Sequence, residues 1–502
     1  MAALAGTTAF IRREVGATLS AIDGDAVSFP KGFLFGAATA AYQVEGSVDA
    51  GGRGVSIWDT FSHTAGNTFN GDTGDIACDH FLRLEEDLDL MAELGARAYR
   101  FSVSWPRIQP TGKGAANPEG LDFYRRVVDG LRARGILPVL TLYHWDLPQT
   151  LQDEGGWPLR DTASRFAEYA GIVAESLGDG VGKWITLNEP WCSAWLGYGS
   201  GHHAPGIRDI GQAAAAAHHL LLGHGEAMQA IRAAADAAEV GISLNLTPVQ
   251  PATTHADDIA TAWRLDGNCN RLFLDPLVKG RYPADMLAHY QGFNPGFTVV
   301  RDGDLEVISQ PLDFLGVNFY TLRTVAARSR TAEAFADGYC VPATDGDLVS
   351  SDLDVATVHR PTVPRTEMGW EVEPAALTEL LTRVRYEYLD IPVLVTENGA
   401  AYGDYVAPNG SVRDPDRIRY LDGHLRAVLQ ARIAGVDVRG YFVWSLLDNF
   451  EWAHGYSKRF GLVWVDYPTR TRIPKDSFRW YAQTVRANAL PPAADATARL
   501  HA

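Results

Sequence analysis

The sequence predicts an α/β chain: a single-domain (β/α)8 TIM barrel with long βα loops over an active site. Three observations carry that expectation. Eight short apolar runs rich in β-branched and aromatic residues recur along the 502 residues. Stretches of helical periodicity alternate with them, the pattern left by parallel strands joined through helical crossovers. Polar and aromatic side chains, rather than the Lys, Asp and Ser of ordinary surface loops, gather where the runs end, and a barrel places its site there. An open doubly wound sheet is the competing arrangement. No G-x-G-x-x-G follows the first run, so a dinucleotide fold has no local support.

Strands are expected at 33–39, 98–103, 137–143, 184–188, 240–245, 314–319, 393–397 and 440–445. Helices are expected at 80–94, 121–134, 162–177, 212–238, 263–274, 375–388 and 414–434. The alanine run 213–217 reads as a plain helix start, since Ala has the best helix propensity. Long connections follow the first run (42–79) and the sixth (322–370), and loops of that length usually carry function. No composition break marks a linker. Residues 1–27 read as a loose extension, 28–490 as the domain, and 491–502 as a flexible tail opening on Pro491-Pro492.

Lys plus Arg number 44 and Asp plus Glu 61, a formal charge of −17, which argues against nucleic acid or an anionic membrane as partner. The hydrophobic fraction of 46% supports a large core. Cys78, Cys192, Cys269 and Cys340 form no C-x-x-C pair and read as reduced thiols of a cytoplasmic protein. Arg12, Arg13 and Glu14 end the weakly apolar start, which does not read as a signal peptide, and no stretch is long enough to span a bilayer.

Two runs end on a carboxylate. Lys183 to Leu187 leads to Asn188-Glu189-Pro190, and Ile391 to Val395 leads to Thr396-Glu397-Asn398-Gly399. Alone, each Glu would usually be a solvated charge. Two on strand tips can form the working pair of a glycosidase. Their expected surroundings fit a sugar. The first run leads to Gln43 and Glu45, the second carries Arg100, and the third ends in Tyr143-His144-Trp145. Trp191 follows Glu189, the sixth run ends in Asn318-Phe319-Tyr320, and the eighth in Trp444, with Glu451 and Trp452 in its loop. Amide, imidazole and carboxylate groups can pair with hydroxyls, and the C–H face of a pyranose packs on Trp or Tyr. Read singly, His144 could be a satisfied core histidine, and Trp444 and Trp452 core aromatics. His202-His203, His218-His219 and His224 lack metal-ligand spacing, so no metal is expected.

Five segments resemble glycoside hydrolase family 1, and within it a bacterial β-glucosidase: FLFGAATAAYQVEG at 33–46, YRFSVSWPRI at 99–108, TLNEP at 186–190, TENG at 396–399 and NFEWAHGY at 449–456. The resemblance runs from about Phe29 to about Val485. It implies that Glu189 is the acid/base and Glu397 the nucleophile of a retaining mechanism. It implies that Arg100 and Tyr320 support the nucleophile; Asn318, two residues before Tyr320 and so on the same side of an extended strand end, is expected to position the sugar or Glu397. Gln43, His144, Trp145, Asn188, Trp444, Glu451 and Trp452 would bind the non-reducing sugar, and Trp191 would sit on the aglycone side. His203 and Glu45 are expected to be structural. The substrate implied is a β-glucoside or cello-oligosaccharide, with β-galactoside and β-fucoside side activity, transfer to acceptor alcohols, and no cofactor. Two alternatives stand beside it. A 6-phospho-β-glycosidase would need a cationic clamp, for which Lys458 and Tyr456 are the nearest candidates, against the anionic Glu451. A non-catalytic sugar-binding barrel would usually lack one of the two carboxylates. The natural aglycone and the oligomeric state are left open.

Overall fold

Eight parallel strands close into a barrel in a computed structural model that describes residues 27–330, 339–341 and 352–492, with backbone alone for 339–341. The strands are β1 (Leu34–Ala38), β2 (Ala98–Ser102), β3 (Leu137–Tyr143), β4 (Lys183–Asn188), β5 (Val240–Asn245), β6 (Phe314–Asn318), β7 (Val393–Asn398) and β8 (Val438–Trp444). Closure comes from β8 lying parallel to β1, with Gly440 opposite Leu34 and Trp444 opposite Ala38. Both faces of each strand are covered, which is why the runs read as continuously apolar rather than alternating. The inner face holds a cluster of its own, including Ala98, Val139, Ile185, Phe314, Leu394 and Phe442. Two large rings fit there because glycine faces them. A Cβ on Gly36 would meet the Phe442 ring at 2.6 Å, and one on Gly241 the Phe314 ring at 2.9 Å. The larger core lies between the outer strand faces and the helices.

Every expected strand is present, with bounds within two residues. The helices are less regular than expected. The first spans Leu84–Leu94 rather than beginning at 80. Ala77 and Asp79 take left-handed φ of 47° and 59°, and the His80 ring turns to Asp87 at 2.7 Å, so the preceding turn cannot be helical. The stretch expected at 263–274 is three pieces: Ala256–Asp266, a π-helical turn Gly267–Arg271, and Leu272–Lys279. The alanine run lies inside Ile210–Ala234, whose first turn is capped by Asp209 accepting from the Gln212 amide at 3.0 Å.

The long connections fold back over the strand tips. The first carries the helix Ile57–Ser62, closed by a reciprocal Ser56–Asp59 capping box. The sixth contributes Arg323–Ala327, Tyr339–Val341 and Val355–His359 to a four-stranded side sheet with Val249–Pro251. Nothing in the sequence pattern had suggested that sheet. Val27, counted with the extension, pairs with Leu490 in a short antiparallel clasp of Val27–Ser28 on Ala489–Leu490. The rest of the expected extension, the tail beyond Pro492, and 331–338 and 342–351 of the sixth connection lie outside the described residues. Among the described residues no helix is long and apolar enough to cross a membrane.

Candidate active site

Glu189 and Glu397 sit at the C-terminal ends of β4 and β7 and share one cavity of about 620 Å³. Their partners differ. Arg100, on β2 and 1% exposed, donates from Nη1 to Glu397 Oε1 at 2.5 Å. The Tyr320 hydroxyl donates to Glu397 Oε2 at 2.6 Å. The rest of the Arg100 guanidinium is spent on Asn188 Oδ1 (2.6 Å), Thr141 Oγ1 (3.1 Å) and the Thr396 carbonyl (3.3 Å), which fixes its plane. Among the described residues no cation pairs with Glu189. Its Oε1 accepts from Asn318 Nδ2 at 2.7 Å, and its Oε2 lies 3.1 Å from the Cys192 thiol. The Glu189 backbone holds a left-handed φ of 48°, an unusual conformation that aims the side chain inward.

Those contacts separate the two carboxyls electrically. Burial, and then the charge of Glu397, pushes Glu189 up to about 8. Burial raises Glu397 too, but the Arg100 charge and then the Tyr320 hydroxyl oppose it. A buried pair loses its first proton where a guanidinium waits, so Glu397 ionises first and the remaining proton stays on Glu189. Asn318, expected to position the sugar or Glu397, gives its amide to Glu189 and to Asn188 (2.9 Å), and its hydrogen bonding also favours the ionised form of Glu397. Thr396 fixes it by donating to Asn318 Oδ1 at 2.6 Å.

Aromatic rings form one wall. His144 stacks between Trp444 and Trp452, with centroids at 5.7 and 5.9 Å, and Trp145 lies 4.6 Å from Trp452. The peptide joining Trp444 to Ser445 is cis. Trp145 donates from Nε1 to the Asn188 carbonyl at 2.9 Å, and the Asn188 amide donates to His144 Nε2 at 3.1 Å. Burial holds His144 well below the usual imidazole range, so the ring is neutral. Among the described residues, Gln43 Oε1 and Glu451 Oε2 on this side are buried acceptors with no hydrogen-bond partner. Burial, and then the charges of Glu397 and Glu189, pushes Glu451 up to about 8. Gln43 gives its amide to Asn449 Oδ1 (3.1 Å) and the Phe450 carbonyl (2.8 Å).

Of the residues singled out in the sequence, Glu189, Glu397, His144, Trp145, Trp191, Asn318, Tyr320, Trp444, Glu451 and Trp452 line the cavity, and Gln43, Arg100 and Asn188 are buried beside them. Trp191 is tied by Nε1 to Asn268 Oδ1 at 2.7 Å. Glu45 pairs with Arg107 (3.0 Å) and Tyr124 (2.6 Å), away from the pair. His203 packs 5.3 Å from both Trp58 and Trp145 and also reaches the wall. His218, His219 and His224 lie on the helix Ile210–Ala234 with partners Asp304, the Trp157 carbonyl and Thr186. Among the described residues no three His, Cys, Asp or Glu side chains are grouped to hold a metal. Lys458 donates to the Glu367 carbonyl at 2.8 Å and Tyr456 to the Thr73 carbonyl at 2.7 Å, and neither phosphate candidate lines the cavity.

The sequence reading missed several wall residues. Asn245 ends β5 as Asn318 ends β6, and the same strand-tip reasoning would have found it. Trp370 and Phe460, packed 5.3 and 6.2 Å from Tyr320, come from irregular loops and carried no local signal.

A closed parallel barrel with two buried, unequally partnered carboxyls at strand tips and a tryptophan-lined cavity is the architecture of a carboxylate-pair glycosidase. The family model for glycosyl hydrolase family 1 matches residues 26–490, and the chain belongs to that family. It is 51% identical to a bifunctional beta-D-glucosidase/beta-D-fucosidase of Bifidobacterium breve, over 91% of this chain and 98% of that protein. It is 46% identical to beta-glucosidase A of Thermotoga maritima, over 92% of this chain and 98% of that one. The solved beta-glucosidase from Thermotoga maritima in complex with glucoimidazole superimposes with a TM-score of 0.85 at 45% identity, covering 92% of this chain and 100% of that chain.

Proposed function

We propose that this protein is a retaining, exo-acting β-glucosidase that releases terminal non-reducing β-D-glucosyl residues from cellobiose, cello-oligosaccharides and aryl or alkyl β-glucosides. The observation that carries the proposal is the unequal partnering of the two carboxyls. Glu397, held by Arg100 and Tyr320, is the anion and attacks the anomeric carbon. As the C1–O bond to Glu397 forms, the glycosidic C1–O bond breaks and its oxygen takes the proton of Glu189. Glycosylation removes the Glu397 charge, which lowers Glu189 and readies it as a base. Glu189 then takes a proton from water, the water oxygen bonds to C1, and Glu397 leaves as a carboxylate. An acceptor alcohol in place of water gives transglycosylation.

The non-reducing sugar rests against Trp444, with the unpartnered Gln43 Oε1 and Glu451 Oε2 as acceptors for its hydroxyls and the second Asn188 amide hydrogen for its 2-hydroxyl. The glucosidase and fucosidase named together in the Bifidobacterium relative support side activity on β-fucosides. Breakdown of cellulose fragments follows from that substrate class. The buried free thiols Cys78 and Cys192 favour a reducing compartment, and we place the protein in the cytoplasm. Residues 28–490 are taken as one catalytic domain.

The test is turnover of an aryl β-glucoside. Glu397→Ala is expected to lose roughly 10,000-fold in kcat or more, and Glu189→Ala to regain turnover of activated leaving groups with azide. Full activity in Glu397→Ala would sink the mechanism. Equal or faster hydrolysis of a 6-phosphorylated aryl glucoside would replace the substrate class.

A further inference from the structure

Cys192 stands where the mechanism gives it no part. It lies in the cavity wall, 7% exposed, with its sulfur 3.1 Å from Glu189 Oε2. Its position is fixed twice. Its backbone amide donates to the Glu189 carbonyl at 2.9 Å at the mouth of the π-helical segment Cys192–Gly199, and the Asn245 side chain donates to its sulfur at 3.6 Å. Asn245 also lines the cavity. Because Asn245 approaches the sulfur as a donor, the thiol hydrogen is free to point at Glu189.

The other oxygen of Glu189 decides what that contact does. Oε1 accepts an N–H from Asn318 at 2.7 Å, so the acidic proton belongs on Oε2, the oxygen beside the thiol. We infer that Cys192 is a positioning residue for the acid/base. Its S–H donates to Oε2 whenever Glu189 is ionised, and its sulfur stays within reach of the same oxygen when Glu189 is protonated. The inference rests on Glu189 being the acid/base. The other groups that act on Glu189 are Glu397 from β7, Arg100 from β2, Asn318 at the end of β6, Glu451 from the loop after β8, whose charge and that of Glu189 repel, and, through Glu397, the Tyr320 hydroxyl. Burial, then the Glu189 charge, raises the Cys192 thiol well above its usual range, so it serves as a donor and not as a thiolate. A donor to the ionised form favours that form. The thiol therefore works against the acid in the first step and for the base in the second, when Glu397 no longer repels the charge.

The test compares Cys192→Ala and Cys192→Ser, with thermal melts to establish folding. Cys192→Val, also without a donor, is read in place of alanine should that variant be unstable. Loss of the donor raises Glu189, so the alkaline limb of kcat/KM moves up by about half a pH unit or more. For dinitrophenyl β-glucoside, where breakdown of the intermediate limits kcat, turnover at mildly acid pH falls by about 3- to 10-fold. Serine, which keeps a donor, restores both. An alkaline limb and a kcat unchanged in the donor-free variant, or serine behaving as alanine does, would overturn the inference. Glu189→Ala is run beside them. If it keeps the alkaline limb, the acid/base assignment has failed, and that result is distinct from a silent Cys192 variant.

Discussion

Arg100 shows how much one side chain decides. Its guanidinium touches Glu397, Asn188 and Thr141, so it sets the charge of one carboxyl and the orientation of the amide beside the other. Arg100→Met removes the charge that opposes burial at Glu397. Glu397 then rises, so the acid limb of kcat/KM moves to higher pH, and kcat/KM falls by about 100-fold or more. A pH-rate profile on an aryl glucoside reads both. At Glu451 the expectation is one of specificity. Its free Oε2 can accept from a hydroxyl at the 4- or 6-position. Glu451→Ala should cost β-glucosides about 3- to 10-fold in kcat/KM, the equivalent of one neutral hydrogen bond, and β-fucosides, which lack the 6-hydroxyl, less. Both residues could be picked out in the sequence, Arg100 in an apolar run and Glu451 between aromatics. Their wiring could not. That Arg100 reaches across from β2 to Glu397 on β7, or that Asn318 reaches Glu189, depends on residues 297 and 129 positions apart being brought together as the ring closes.

The strands were the most legible elements, because a strand buried on both faces must be apolar throughout and such runs stand out from amphipathic helices. The helices were blurred where side chains or backbone turns overrode the periodicity, as at Asp79 and His80 and at the π-turn Gly267–Arg271. Both π-helical segments border the cavity, through Cys192 and Leu196 in one and Cys269 in the other, consistent with extra residues being accommodated where a site needs them. Close approach is as exacting as pattern. A Cβ on Gly399, just past β7, would lie 1.7 Å from the Trp444 carbonyl at the end of β8. Gly399→Ala must push these ends apart, and the sugar platform with them. The expected outcome is a kcat/KM loss of about 100-fold with a lowered melting temperature, read by kinetics and calorimetry. At the helix Ile210–Ala234 the effect is local: Asp209→Ala removes the cap on Gln212 and costs about 1 kcal/mol in a urea titration.

Over the whole molecule, the cost of the site appears as pH-dependent stability. Glu189 and Glu451 are each raised from 4.5 to about 8 in the folded state. Between those values the native protein holds more protons than the unfolded chain, so stability falls as pH rises through the window from 4.5 to about 8. Glu451→Gln removes one of the two groups. Melting curves across pH should find the variant more stable than the parent above about pH 8, with the difference fading toward pH 4.5. A parallel pair of curves would contradict the buried-carboxyl origin.

By itself the sequence determined the barrel, the strands that end on Glu189 and Glu397, and the aromatic and amide composition of the site. These are local matters: an apolar run makes a buried strand, and the residue after it stands at the tip. Only the tertiary structure decided which carboxyl meets a guanidinium and which meets an amide and a thiol. It also brought Trp370 and Phe460 from separate loops against Tyr320, and placed the side sheet over the cavity. Charge and hydrogen bonding act over a few ångströms in space and are blind to separation along the chain. The division of labour between two carboxyls on like strand tips therefore exists only once the ring has closed.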